Sequence, residues 1–259
     1  MRITLLASLL AIGLGTAFAS TSSELVVSTG AGPGNTNSCA ITADALGNPV
    51  LTPTGTGCSG FATVVVTDDS ITIVHGTFTT SGTGPNANVW DIDLAFGTSN
   101  SPNTDPALDV SSVTATCVQA CNNNAVEIWY SDIGFTTAVS GFTNAYSGTD
   151  EGSGSTSQSA WVSSTDTLLA KTSPIGTVGP LPNTGPTAAS GGTVSGGGSA
   201  GPTAYSLTLE QLFISDAESD TFSVDGSITG NVSVPEPMSL LLLGGCLLVV
   251  GRKLAARLA

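Results

Sequence analysis

The 259-residue chain carries nineteen acidic residues against five basic ones, for a net charge of −14, and 40% of it is apolar. That charge repels nucleic-acid phosphates at long range and excludes DNA and RNA as partners. With only 9% of residues charged, the chain lacks the high-charge, low-hydrophobicity profile of a disordered protein, and its abundance of Gly, Ser, Thr and Asn suits an exported β protein rich in turns.

The N-terminus reads MRITLLASLLAIGLGTAFAS. Arg2 is a minimal positive region, residues 3–14 form a short apolar region, and Ala17-Phe18-Ala19 satisfies the small-x-small rule for cleavage before Ser20. Residues 1–19 are therefore expected to be a signal peptide, engaging the Sec translocon and signal peptidase.

From residue 20 to 233 the pattern is period-two alternation with no long helical stretch. Residues 24–28 form a first strand candidate. Residues 61–67 and 70–79 read as a hairpin turning at Asp68-Asp69. His75, the single histidine, shares parity with Ile71 and Ile73, so it is expected to be a partly buried strand residue and not the hub of a catalytic triad. Residues 89–96 place Trp90, Ile92, Leu94 and Phe96 on one face and Asp91 and Asp93 on the other. Such an acidic pair could serve a glycosidase, and it is equally the wet face of an acidic strand. Residues 108–117, 124–130, 134–139 and 160–164 follow as further strands. In 124–130, Val126, Ile128 and Tyr130 oppose Glu127. Residues 147–159, SGTDEGSGSTSQS, read as a polar loop, and 172–203, dense in Gly, Pro, Ser and Thr, as a long mobile one. Residues 204–214 form a strand whose parity slips near Glu210-Gln211, implying a bulge. The last strand has Phe222, Val224, Ile228 and Val232 in one register. Eight to ten such strands define an all-β fold, an antiparallel β-sandwich with one long Gly/Ser/Pro/Thr-rich loop.

Four cysteines fall in this body: Cys39, Cys58, Cys117 and Cys121. An even number in an oxidising compartment implies two disulfides; of the three pairings, closeness in sequence favours Cys39 with Cys58 and Cys117 with Cys121. A metal site through Cys117-x-x-x-Cys121 lacks nearby histidine partners, and no cofactor is expected. Asp68, Asp69, Asp150 and Glu151 are hard-oxygen candidates for calcium without a complete DxDxDG loop. Trp90, Trp129 and Trp161 would stack on sugars if exposed; core packing is the simpler expectation.

The chain closes on VPEPMSLLLLGGCLLVVGRKLAARLA. Residues 238–251 are uncharged and mostly apolar, and they include the fifth cysteine, Cys246, as a packing residue. At ~1.5 Å per residue they span about 21 Å, short of the ~30 Å hydrocarbon core. Extension through Arg252 and Lys253 to residue 256, with the basic side chains snorkelling, completes a marginal transmembrane helix. Arg252, Lys253 and Arg257 fix the tail on the cytoplasmic side and residues 20–233 outside. Pro235 and Pro237 hold the preceding stalk extended, and Glu236 complements the helix N-terminus.

Val234-Pro235-Glu236-Pro237, followed by an apolar helix and a basic tail, resembles the PEP-CTERM sorting signal. The resemblance covers residues 234–259. It implies Sec export in a Gram-negative bacterium, recognition by exosortase (a membrane-embedded cysteine transpeptidase) and removal of the helix. It further implies a surface or matrix protein associated with exopolysaccharide and biofilm; with no coherent catalytic constellation in the sequence, an enzyme is not expected. A carbohydrate-binding module, calcium-dependent or not, is the alternative, and a secreted glycoside hydrolase a more distant one. Leu181-Pro182-Asn183-Thr184-Gly185 matches the sortase pentapeptide, but about 50 residues separate it from the apolar helix, so it is read as a chance match.

Overall fold

The computed structural model describes residues 23–232, apart from 30–36, 45–47, 56–57, 59, 68–69, 82–83, 85–86, 102–105, 183–187, 199 and 202. The signal-peptide residues, Asp68 and Asp69, Asn183 to Gly185, the sorting motif, the transmembrane segment and the basic tail therefore lie outside the described residues.

Among the described residues, fourteen antiparallel strands stand where eight to ten were expected. They are β1 Ser23–Thr29, β2 Ser38–Ala43, β3 Pro49–Thr54, β4 Gly60–Thr67, β5 Ser70–Ser81, β6 Asn88–Ser99, β7 Ala107–Gln119, β8 Asn124–Phe135, β9 Phe142–Glu151, β10 Gly154–Ser163, β11 Ser173–Pro182, β12 Ala188–Gly196, β13 Tyr205–Ser215 and β14 Thr221–Gly230. They form two seven-stranded sheets, ordered β11-β10-β13-β8-β1-β2-β3 and β12-β9-β14-β7-β6-β5-β4, here called the first and second sheets. The chain lays down β1 to β3 in one sheet and β4 to β7 in the other, then crosses between the layers at every step except from β10 to β11, which pair with each other in the first sheet.

Between the sheets lies one core. Leu25, Val27, Ile128, Tyr130, Leu207, Leu209 and Phe213 come from the first sheet, and Ile71, Phe78, Trp90, Ile92, Val113, Phe222 and Ile228 from the second. Phe222 is central, with its ring centroid 6.0 Å from that of Trp90 and 5.8 Å from that of Phe213. Offset contacts of this kind add to burial, which is the dominant favourable term. Each disulfide ties a strand to the loop that leads into the other sheet: Cys39 on β2 to Cys58 just before β4, and Cys117 on β7 to Cys121 in the turn entering β8.

Several expectations fail for a common reason: polar and small residues occupy inward positions. The stretch read as a mobile loop, 172–203, holds β11 and β12. Ile175 and Val178 are buried there, and at Gly176 an added Cβ would press on Val194 of β12, so the glycines allow two edge strands to approach closely. The polar stretch 147–159 is the end of β9, a crossing from the second sheet to the first, and the start of β10; Asp150, Thr156 and Gln158 point inward. Gln158 donates to Asn144 Oδ1 at 2.5 Å and to the Ala145 carbonyl at 2.7 Å, and Gln211 donates to Gln158 Oε1 at 3.2 Å. This buried amide seam is tolerated because its members bond to one another. It also removes the bulge expected near Glu210-Gln211: β13 keeps one parity there, with Gln211 turned inward, and its register shift falls instead between Tyr205 and Leu207. Residues 134–139 are not a separate strand; β8 runs on to Phe135, and Val139 makes an isolated bridge to Ala200.

Candidate functional site

The outer face of the first sheet carries a cluster built around a single cation. Inward Val126, Ile128 and Tyr130 leave Glu127, Trp129 and Ser131 on the opposite side of β8. The loop between β10 and β11 folds back over this face. Ser206 Oγ donates to the Thr167 carbonyl at 2.8 Å, the Leu169 amide donates to Ser131 Oγ at 2.9 Å, and Asp166 accepts the Gly134 amide at 2.7 Å. Its end places Lys171 Nζ 3.8 Å from the Trp129 ring centroid and 4.6 Å from that of Trp161. The two indoles stack at 5.8 Å. Lys171 Nζ also lies 3.6 Å from Glu210 Oε2, with side chains 40% and 14% exposed. Glu127 accepts Trp129 Nε1–H at 3.0 Å and Ser28 Oγ–H at 3.1 Å. Burial pushes the Glu210 carboxyl up to about 7, partly opposed by Lys171 and reinforced by Glu127.

The tryptophans are thus not open sugar platforms. Trp90 is in the core, Trp129 is fully buried, and Trp161 lies half-buried under Lys171. Sequence spacing could not reveal this arrangement, because it depends on a loop crossing a sheet face.

His75 departs from expectation. Instead of following Ile71 and Ile73 inward it is 55% exposed and pairs with Asp93, because the β4–β5 pairing shifts register beside it and Gly76 takes the inward place. The hydrogen bond and charge of Asp93 raise its pKa. Asp91 and Asp93 do face outward, and Asp91 accepts Thr77 Oγ1–H at 3.2 Å. Asp150 and Glu151 do not converge as a calcium pair: Asp150 is buried in the sandwich and Glu151 is exposed. Among the described residues no group of three or more His, Cys, Asp or Glu could hold a metal ion.

The second outer face carries a groove of about 530 Å³ running across β12, β9, β14 and β7. Register places Thr193, Ala145, Ser227 and Asp109 in one row across the four strands, and Gly191, Ser147 and Asp225 in a neighbouring row. Asp225 accepts the Ser112 amide at 2.7 Å where β7 bulges. Burial raises the Asp109 pKa; Ser111 opposes the shift and Asp225 reinforces it.

No protein-family model and no curated protein matches the chain. Among solved structures, similarity is found to the carbohydrate-binding module TmCBM61 in complex with β-1,4-galactotriose. That match has 8% identity and a TM-score of 0.27 over 55% of this chain and 88% of that one. The VP2 subviral particle of infectious bursal disease virus matches at 11% identity and a TM-score of 0.28, over 82% of this chain and 56% of that one. The enzymatically active domain of bacteriophage CBA120 tailspike protein 4 matches at 13% identity and a TM-score of 0.24, over 54% and 19%. Similarities this low define neither a family nor a shared site.

Proposed function

We propose that this chain is an exported cell-surface or extracellular-matrix protein, released from its membrane anchor by exosortase and serving a structural or adhesive role alongside exopolysaccharide. The observation that carries the reading is the terminal arrangement itself: Val234-Pro235-Glu236-Pro237, an apolar segment, and Arg252, Lys253 and Arg257 behind it. Two disulfides support it, since such bonds persist in oxidising compartments. Among the described residues no helix is long and apolar enough to cross a membrane; in this reading the apolar sequence of residues 238–256 is the anchor.

The test is processing. In a Gram-negative host with an exosortase, the double variant Pro235→Ala, Glu236→Ala should accumulate as a full-size, membrane-retained chain while the wild type is shortened and released. Equal processing of the two would count against the sorting reading.

A further inference from the structure

We infer that the groove on the outer face of the second sheet is a glycan-binding cleft for neutral or amine-bearing oligosaccharides. The inference rests on the surface-and-matrix reading above and names the site and ligand class through which it would act.

Shape comes first. A volume of about 530 Å³ falls within the size range of small-ligand sites. At ~4.8 Å between strands, four strands give a track of roughly 14 Å from β12 to β7. Its β12 end carries Gly191, and Ala145 on β9 is the next small residue along the track. One face of a pyranose chair can therefore rest against this small-residue end without displacing a bulky side chain.

Chemistry selects the occupant. Hydroxyls of Ser147, Thr193 and Ser227 lie beside the carboxylates of Asp109 and Asp225, and among the described residues no cation lines the groove. Hydroxyls and carboxylates bond to polyols, and the bond from a hydroxyl to a carboxylate is charge-assisted. Two negative charges in a chain of net charge −14 repel uronate, sulfate or phosphate groups. The Asp109 carboxyl lines the groove beside Ser111, with Asp225 in the neighbouring row. The other outer face offers no such opening, because Lys171 already covers its stacked indoles.

The experiment uses the purified full-length chain on an array of neutral, amino-sugar and uronic-acid oligosaccharides, with affinities of the hits measured by calorimetry. Wild type should bind neutral or amino-sugar chains and not uronic-acid ones. Asp109→Asn should weaken binding at least tenfold. Ser147→Trp, which fills the groove from an exposed position opposite Asp225 on the neighbouring strand, should abolish it. Trp161→Ala should leave it unchanged. The inference is overturned by binding that survives both groove substitutions, by binding confined to uronic-acid chains, by loss on Trp161→Ala alone, or by no binding from protein with both disulfides formed. The processing assay reads the sorting claim separately: a chain that is processed but binds nothing removes the cleft alone, and one that binds but is never processed removes the sorting alone.

Discussion

Glu210 provides the sharpest energetic prediction. Its carboxyl sits among Trp129, Lys171 and Glu127, and burial raises it from 4.5 to about 7. At ~1.4 kcal/mol per factor of ten, that difference corresponds to about 3 kcal/mol. The sign follows from which state holds the proton. Between 4.5 and about 7 the folded chain keeps the proton and the unfolded chain releases it. Wild-type stability from this group is therefore full below 4.5 and is lost as pH rises through about 7. Glu210→Gln is neutral at every pH and of the same shape. The variant should match wild type near pH ~4 and gain on it with rising pH, reaching an advantage of about 2–3 kcal/mol above pH ~8. The attraction of Lys171 is already contained in the shifted value and needs no separate deduction. Urea titrations followed by tryptophan fluorescence, run on both proteins across this range, give the difference directly. An offset independent of pH, or a variant less stable than wild type at pH ~8, would refute the reasoning.

Three further outcomes are expected. Gly226→Ala should destabilise by about 1–3 kcal/mol in urea titration, because the added Cβ would overlap Gln158 Oε1 in the buried amide seam. Opening the Cys39–Cys58 loop, of sequence separation 19, by a double change to Ser should cost about 3 kcal/mol. By calorimetry that lowers Tm by roughly 6–12 °C. Asp220 accepts the Ser153, Ala217 and Asp216 amides at 2.7, 2.9 and 3.1 Å and Ser215 Oγ–H at 2.9 Å. Burial alone would raise its pKa, but these bonds prevail and the net shift is downward. Asp220→Asn should cost about 2–3 kcal/mol at neutral pH. It should also remove the part of acid destabilisation that wild type shows as pH falls below 3.8.

Where alternation was carried by apolar residues, the sequence was legible. Trp90 and Ile92 face in while Asp91 and Asp93 face out; Phe222, Val224 and Ile228 face in. Both disulfides join cysteines close in sequence, so proximity was enough to choose a pairing. Legibility failed where the interior is polar or glycine-rich. β10 buries Thr156 and Gln158 beside Ala160 and Val162, a pattern that hydrophobic periodicity cannot register. β11 and β12 are edge strands held by a few apolar anchors, Ile175, Val178 and Val194, with glycine between. Neither candidate surface is local in sequence. Lys171 meets Glu210 only through the loop preceding β11, and Asp109 meets Thr193 only through the order of four strands. Chain order does not reveal which strands become neighbours when the path alternates between layers.

Intact mass of the protein recovered from the cell surface tests the central claim most directly. The account gives a product that begins at Ser20, carries two disulfides and lacks the apolar segment of residues 238–256. A full-length chain found inside the cell, with its cysteines reduced and its C-terminal segment intact, would contradict it.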